Sequence, residues 1–191
     1  MSINNLETKS SKRDVYVSKR SYPLEECVCF NSYNRDNYVL SNMYPCEIDY
    51  EGMRFKSVDM MYWWLMFRGE DSRRKRIRDR IIKCGGICNG YKCRKIGLEN
   101  EDYIDDEFVK NQFKILESCI IAKAKCCREF REKLRKSKGK WLVEEAGWDY
   151  EKAGAILNSE NGCMEGGNAC GRLMMEVRDM LFNGELGEFN D

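Results

Sequence analysis

The spacing of apolar residues along the chain predicts a domain built mainly of helices. The most hydrophobic run, residues 58–67, has apolar side chains on nearly every face, which is typical of a helix buried in the middle of a domain. Ser57 precedes this run and can cap its first turn through the hydroxyl. Three further segments carry apolar residues at helical spacing, and we predict helices over residues 71–83, 106–137 and 171–181.

Shorter segments alternate between apolar and polar residues and predict strands. Residues 27–31 and residues 140–145 are each suited to one short strand. Residues 46–55 predict a β-hairpin that turns at Glu51 and Gly52. The predicted fold class is therefore α+β, mainly helical, with a small antiparallel sheet.

The chain is predicted to form one domain with two short ends. Residues 1–22 are polar and charged without a sustained period, which predicts a flexible N-terminal arm. The domain is predicted over residues 23–184 and a C-terminal tail over residues 185–191. Residues 158–168, rich in Gly and Asn, are predicted to form a loop before the last helix.

Composition restricts the chemistry that the chain can perform. The 191 residues include no histidine, which excludes a Ser-His-Asp triad, a Cys-His dyad and any metal site that needs imidazole. Acid–base chemistry then falls to carboxylates, Lys, Tyr or Cys. Lys and Arg number 33 against 32 Asp and Glu, and the net charge of +1 argues against a general polyanion binder.

The 11 cysteines are typical of reduced thiols in an intracellular, cytoplasmic protein. Their spacing is irregular, the first twenty residues lack the apolar stretch of a secretion signal, and the longest apolar run is too short to span a bilayer. Cys84, Cys88 and Cys93 leave two interpretations open, a thiolate zinc site and three small buried residues. The second is favoured because no C-x2-C pair is present. We therefore expect no metal and no cofactor.

One carboxylate and one basic segment are candidates for function. Asp59 interrupts the apolar run at 58–67, so it must lie in the first turn, where the helix dipole stabilises it, or face a polar cavity, and both can hold. Seven of the thirteen residues 71–83 are Lys or Arg. They indicate a solvated helix surface or a phosphate-binding face, and the first is favoured because acidic residues elsewhere balance the charge.

Three segments, taken in order, resemble the NADAR family, which includes the bacterial YbiA-type proteins linked to riboflavin biosynthesis. Residues 40–67, LSNMYPCEIDYEGMRFKSVDMMYWWLMF, are similar to the family pattern LSNFYPxxIxxxGxxYxSVEHxYQAxKF. The helix over residues 108–134 and the LVE of residues 142–144 match a helix and LxE in the family. Asp149 and residues 166–181, GGNACGRLMMEVRDML, resemble DxxWGxG and GxNxLGxLLMxVR.

The resemblance implies a single NADAR/YbiA-like domain with a pocket for an ADP-ribose-like or ribosyl-phosphate ligand. It also implies hydrolysis of an N-glycosidic bond, either in an ADP-ribosylated guanine or in a ribosylated intermediate of the riboflavin pathway. ADP-ribosylated nucleic acid is therefore among the candidate partners, whereas a membrane is not. An N-glycoside leaves through an oxocarbenium-like state that a carboxylate can stabilise, so the chemistry does not need histidine.

The resemblance further implies roles for individual residues. Asp59, Asp149 and Glu144 match acidic positions of the family and are candidate catalytic residues, although Glu144 could equally be a structural carboxylate at a strand end. The candidate ligand-binding residues are Ser41, Asn42, Tyr44, Trp63, Gly167, Asn168 and Gly171. Close packing for the two glycines and a simple N-cap for Asn168 are equally open alternatives.

Several polar positions of the family pattern differ in this chain. Met60, Trp63 and Met66 stand where the family has His, Gln and Lys, and Lys152-Ala153 stands where it has Trp-Gly. We hypothesise that Lys152 supplies the positive charge lost at Met66, which makes it a fourth catalytic candidate. The retained acidic residues favour an N-glycosidase slightly. A catalytically degenerate module that binds ADP-ribose or a nucleotide, and a structural or protein-interaction role, stay open as alternatives.

Overall fold

Six helices carry most of the core in the computed structural model, which describes residues 18–85, 89–146 and 151–189. They are α1 (Val58–Leu65), α2 (Ser72–Ile82), α3 (Asn89–Leu98), α4 (Asp106–Cys126), α5 (Arg128–Lys136) and α6 (Ala169–Phe182). Ser57 caps α1 by accepting the N–H of Met60, as its position predicts, and Asp71 and Asp105 cap α2 and α4 in the same way.

Seven short strands form three small sheets within the described residues. They are β1 (Arg20–Pro23), β2 (Cys27–Phe30), β3 (Ile48–Tyr50), β4 (Met53–Phe55), β5 (Trp141–Glu144), β6 (Ile156–Asn158) and β7 (Cys163–Gly166). Strands β1, β7 and β6 pair antiparallel in that order, β3 and β4 form an antiparallel hairpin, and β2 and β5 pair in parallel. The mainly helical α+β fold class is confirmed.

The sheets confirm two predicted features and correct a third. The hairpin turns at Glu51 and Gly52, whose φ angles of 49° and 75° suit the turn that joins two-residue hairpins. The predicted strands at residues 27–31 and 140–145 form as β2 and β5. They pair with each other in parallel, whereas the predicted sheet is antiparallel. The direction was not predictable, because partners far apart in the sequence leave no local signal of it.

Helix α1 lies at the centre of the core, as its apolar faces predict. Val58, Met61 and Leu65 are buried, and Tyr62 packs edge-on against Phe108 of α4. The neighbouring elements of α1 are α2, α3 and α4, while α6 packs against β5, α4 and α5. This arrangement places the first turn of α1, and with it Asp59, inside the domain.

Both ends of the domain differ from the predicted boundaries. Residues 20–22, predicted to belong to the arm, form part of β1, where Tyr22 is buried and packs edge-on against Trp141. Leu186, predicted to lie in the tail, is buried in the core. The rest of the predicted arm, residues 1–17, lies outside the described residues.

Two predicted segments are divided in the structure. The helix predicted over residues 106–137 consists of α4 and α5, because Cys127 has extended backbone (φ −117°, ψ 101°) between them. The apolar repeat continues across this break, so the local pattern did not indicate it. The loop predicted over residues 158–168 contains β7, which pairs with both β1 and β6.

Candidate functional site

A cavity of about 660 Å³ lies between the turn that follows β2, helices α1, α3 and α4, and the start of α6. Its volume suits a small-molecule ligand. The ionisable and amide side chains on its wall belong to Asn31, Asn42, Asp59, Arg94, Gln112, Glu144, Glu145 and Lys152. The larger apolar and aromatic side chains belong to Tyr33, Tyr62, Trp63, Met66, Tyr91, Leu98, Phe113 and Leu116.

Six of the residues predicted for the site line this cavity, namely Ser41, Asn42, Asp59, Trp63, Glu144 and Lys152. They come from four separate parts of the chain, which the fold brings together around this cavity. The resemblance therefore named residues that line this cavity together and others that do not line it.

The carboxylate of Asp59 lies in the first turn of α1 and is half-buried. Its own N–H donates to the carbonyl oxygen of Asn42 at 3.0 Å, which ties the start of the helix to the preceding polar turn. Burial raises the pKa of Asp59 to about 6, while the positive charges of Arg94 and Lys123 act in the opposite direction. Both alternatives for Asp59 therefore hold, since it occupies a first helical turn and faces a cavity.

Helix α3 passes close to this carboxylate because it carries a glycine at the contact. A Cβ at position 90 would lie 2.9 Å from Oδ2 of Asp59 and 3.0 Å from Cγ of Met43. Gly90 thus allows α3 to cover Asp59 and to place Arg94, one turn further along, on the same cavity wall.

Asn42 has a buried amide whose oxygen has no hydrogen-bond donor among the described residues. Its Nδ2 donates to Sγ of Cys170 at 3.7 Å, and within the described part of the chain no group donates to its Oδ1. The side chain is 7% exposed and lines the cavity. A buried polar atom without a partner is costly, so a ligand donor at this position would remove an existing penalty.

The two glutamates at the end of β5 differ in their surroundings. Glu145 accepts from Nδ2 of Asn31 at 2.7 Å, which joins the end of β5 to the turn after β2. Glu144 is half-buried on the cavity wall, and its backbone N–H donates to Oδ1 of Asn168 at 3.1 Å. The bond to Asn168 fixes the backbone at Glu144, and this residue lines the same cavity as Asp59.

Lys152 lines the cavity but is exposed, and the cations that act on Asp59 are Arg94 and Lys123. The hypothesis that Lys152 supplies the charge lost at Met66 stays a prediction, and Arg94 is a second source of positive charge that acts on this carboxylate. Sequence reasoning missed Arg94, since glycines interrupt the helical pattern around it.

Lys123 is a second functional candidate that the sequence analysis missed. Its amine is buried and donates to the carbonyl oxygens of Val39 at 2.7 Å and Ser41 at 2.8 Å, and it lies 4.4 Å from the centre of the Phe130 ring. Burial lowers the pKa of Lys123 to about 8. Lys123 thus fixes the polar turn, the segment of residues 39–42, through its carbonyl oxygens and adds positive charge near Asp59.

Four residues predicted to bind the ligand do not line the cavity. The hydroxyl of Tyr44 donates to the carboxylate of Glu129, and its ring packs edge-on against Tyr38. The other three, Gly167, Asn168 and Gly171, pack against backbone instead. For the two glycines the structure favours close packing over ligand contact, and the Asn168 side chain bonds the backbone of β5 rather than capping α6.

The turn before α6 is filled by backbone contacts. Asn168 accepts from the N–H of Glu144 and donates to the carbonyl oxygen of Leu142 at 2.9 Å. A Cβ at position 171 would lie 2.1 Å from that same carbonyl oxygen, and one at position 167 would lie 2.4 Å from the carbonyl oxygen of Glu151. These residues fasten α6 to β5 and leave no room for a phosphate.

Comparison with known proteins supplies a fold. No protein-family model matches the chain, and no curated protein matches it in sequence. The NMR structure of the E. coli protein YbiA matches it with a TM-score of 0.67, over 86% of this chain and 89% of that chain. The chain has the fold of YbiA. The NADAR-like fold that the three segments predict is thereby confirmed, and at 19% identity the likeness concerns the fold alone.

The described residues of this YbiA-like chain can also be compared with the predictions about membranes and metals. None of the helices in the described residues combines the length and hydropathy that a membrane crossing requires. Across the same residues, no three His, Cys, Asp or Glu side chains form a group that could hold a metal. Asp149, and Cys88 of the alternative zinc site, lie outside the described residues, so the predictions for them stay predictions.

Proposed function

We propose that the protein hydrolyses the N-glycosidic bond of a ribosylated base. The two candidate substrate classes are an ADP-ribosylated guanine and a ribosylated intermediate of the riboflavin pathway. The observation that carries the proposal is the half-buried carboxylate of Asp59, which faces a cavity large enough for a nucleoside. The YbiA-like fold supports it through the family resemblance to N-glycosidases.

In the proposed reaction, the bond between the base nitrogen and the sugar carbon C1′ breaks. The ionised Asp59 stabilises the positive charge that develops on the sugar, and burial strengthens this interaction because little water screens it. Water then adds its hydroxyl to C1′, and its proton neutralises the departing base. We assign the activation of this water to Glu144 and, as the resemblance implies, a supporting acidic role to Asp149.

The remaining polar groups on the wall suit a sugar phosphate. The amide oxygen of Asn42 would accept a hydrogen bond from a ribose hydroxyl, which would give this buried oxygen a partner. Arg94 and the exposed Lys152 would bind the phosphate groups of an ADP-ribose-like ligand, a role in which a mobile surface lysine is effective. No metal is needed for this scheme.

A second candidate function, binding of ADP-ribose or a nucleotide without turnover, is favoured by the apolar part of the wall. Trp63 and Met66 stand where the family has polar residues, and Phe113 and Leu116 extend the apolar surface from α4. Such a wall provides binding area for rings and sugars but does not assist proton transfer.

A paired assay tests the proposal and separates it from this alternative. Calorimetry with ADP-ribose measures binding, and mass spectrometry of an oligonucleotide with an ADP-ribosylated guanine measures release of ADP-ribose. We expect turnover by the wild-type protein and a loss of about 100-fold in Asp59→Asn with binding retained. The matched control is Asp106→Asn, an exposed first-turn carboxylate of α4 outside the cavity. Binding without turnover would support the second function. The absence of both binding and turnover would contradict both functions.

The pH dependence gives an independent signature. Because the ionised carboxylate is the active form, turnover should rise as the pH increases through about 6, the pKa to which burial raises Asp59. A rate that does not change between about pH 5 and pH 7 would contradict the role of Asp59.

Stability measurements show whether Asp59→Asn keeps the fold. Burial raises the pKa of Asp59 from 3.8 to about 6. The folded state therefore disfavours the ionised form, and the wild-type protein loses stability as the pH rises through this interval. Asp59→Asn removes this loss. In urea unfolding at about pH 8, the variant should be more stable than the wild type by up to about 3 kcal/mol, and the difference should vanish below about pH 4.

A further inference from the structure

Two tyrosines from different parts of the chain meet at the outer wall of the cavity. Tyr33 lies in the turn after β2 and Tyr91 lies near the start of α3, and both line the cavity. Their hydroxyl oxygens are 2.7 Å apart, and Oγ of Ser32 lies 3.3 Å from the hydroxyl of Tyr91. Tyr33 is 80% exposed and Tyr91 is 42% exposed. Most of the Tyr33 ring therefore contributes little to the core and is accessible from solvent.

The turn that carries Tyr33 is held by asparagine side chains. Oδ1 of Asn31 accepts from the N–H groups of Tyr33 at 2.7 Å and Asn34 at 2.6 Å. The amides of Asn34 and Asn37 both donate to the carbonyl oxygen of Cys29 at the end of β2. The turn also contacts the end of β5, through the bond from Asn31 to Glu145. An exposed aromatic ring on a turn fixed in this way loses little entropy when a ligand binds.

Helix α3 presents the second ring together with other groups of the wall. Tyr91, Arg94 and Leu98 lie at positions i, i+3 and i+7, so they share one face of α3, and all three line the cavity. The same three residues continue outward into a shallower groove with Lys95 and Glu99. Tyr33 and Tyr91 are thus the most exposed aromatic residues of the wall, whereas Asp59 is half-buried and Asn42 is buried.

We propose that the rings of Tyr33 and Tyr91 bind the planar nitrogen heterocycle of the ligand by stacking. This inference rests on the proposed function, in which that heterocycle is the base and the sugar lies inside the cavity against Asp59. Every base has a π-face that stacks on tyrosine, and the exposed hydroxyl pair that joins the rings is weak enough to yield to a ligand. The two tyrosines then select for a base, and the inner carboxylate acts on the sugar.

Calorimetry with guanosine and with ribose 5-phosphate, which has no base, tests this site. Tyr33→Ala and Tyr91→Ala should each weaken guanosine binding about tenfold and leave ribose 5-phosphate binding unchanged. Tyr33→Phe and Tyr91→Phe keep the rings and remove the hydroxyl pair, so they should stay within about threefold of the wild type. Tyr103→Ala, which removes an exposed tyrosine outside the cavity, is the matched control.

Three outcomes would overturn the site: no guanosine binding by the wild-type protein, no effect of either alanine variant, or equal weakening of both ligands. The failure of the proposed hydrolysis is distinguishable from these outcomes. Guanosine binding that depends on Tyr33 and Tyr91, in a protein that releases no ADP-ribose, would support the base site and contradict the hydrolysis. Turnover with an unchanged KM in Tyr33→Ala would support the hydrolysis and contradict the base site.

Discussion

Asn42 and Asn168 are both buried asparagines, and they have opposite surroundings in the structure. Asn168 directly precedes α6, whereas Asn42 is separated from α1 by the hairpin β3–β4 and contacts that helix through the N–H of Asp59. Asn42 lines the cavity, and its buried amide oxygen accepts no hydrogen bond from the described residues. Both polar ends of Asn168 are bonded to the backbone of β5. The same type of side chain thus keeps an unused acceptor in one turn, whereas in the other turn the backbone bonds both of its polar ends.

The difference arises from what lies beside each turn. Within the described residues, the sheet partner of strand β5 is β2 alone, so the second edge of β5 has backbone groups that need partners. Asn168 supplies them, donating to Leu142 and accepting from Glu144, as a neighbouring strand would. The backbone beside Asn42 is already satisfied, since its carbonyl oxygen accepts from Asp59 and Lys123 bonds the carbonyl oxygen of Ser41. A buried asparagine keeps an acceptor for a ligand only where no neighbouring backbone group forms a hydrogen bond with it.

The largest expected effect is that of Asn168→Ala on stability. The substitution leaves two buried backbone groups of β5 without partners and places alanine at a φ of 47°, which asparagine tolerates better. We expect the free energy of unfolding in urea to fall by about 3 kcal/mol. A loss below about 1 kcal/mol would show that Asn168 does not brace β5.

Asn42→Ala should have the opposite profile. It removes an amide whose oxygen has no partner in the described structure, so the stability should change by less than about 1 kcal/mol. Binding of ADP-ribose should weaken about tenfold, because the ligand hydroxyl loses its acceptor. Equal stability losses in Asn42→Ala and Asn168→Ala would remove the distinction between the two turns.

The elements of the fold were largely predictable from local pattern, and their pairing was not. The central helix, the capping Ser57 and the turn at Glu51 and Gly52 follow from short-range physics, namely apolar periodicity, a hydroxyl at an N-terminus and a glycine at positive φ. The parallel pairing of β2 with β5 and the break at Cys127 depend on distant contacts that no local pattern records.

The candidate site shows the same division. Asp59 was predictable because a lone carboxylate in an apolar run needs a polar environment. Lys123 was missed, although its spacing of 7 from Leu116 and 3 from Ile120 places it on the buried face of α4, where a lysine needs a partner. Arg94 was missed because glycines interrupt the pattern of α3.

The glycines of α3 show why this interruption is misleading. Gly90 and Gly97 do not end the helix but let it approach α1, since a Cβ at position 97 would lie 2.2 Å from Cε3 of Trp63. A glycine within a helix signals a break or a close contact, and sequence alone does not separate the two.

Lys123→Met tests whether the buried charge of Lys123 lowers the pKa of Asp59 in the cavity. Lys123 lowers the pKa of Asp59, so its removal should raise that pKa above about 6. The rise of turnover with pH should then move to higher pH, and an NMR titration of the Asp59 carboxyl should move with it. The matched control is Lys114→Met, on an exposed position of α4, which should leave both curves unchanged. A shift to lower pH in Lys123→Met would contradict the electrostatic role.

The smallest effect is expected for Tyr44→Phe, which tests the outer limit of the site. The family resemblance assigns Tyr44 to the ligand, whereas in the structure its hydroxyl donates to Glu129 at the surface. Loss of this exposed bond should lower the stability by less than about 1 kcal/mol and leave ADP-ribose binding and turnover unchanged. Because Lys123 lies 5.4 Å from the centre of the Tyr44 ring, which phenylalanine retains, its charge should be unaffected. A tenfold weakening of ligand binding in Tyr44→Phe would contradict this expectation. It would show that the binding surface extends beyond the cavity, from Ser41 and Asn42 to Tyr44.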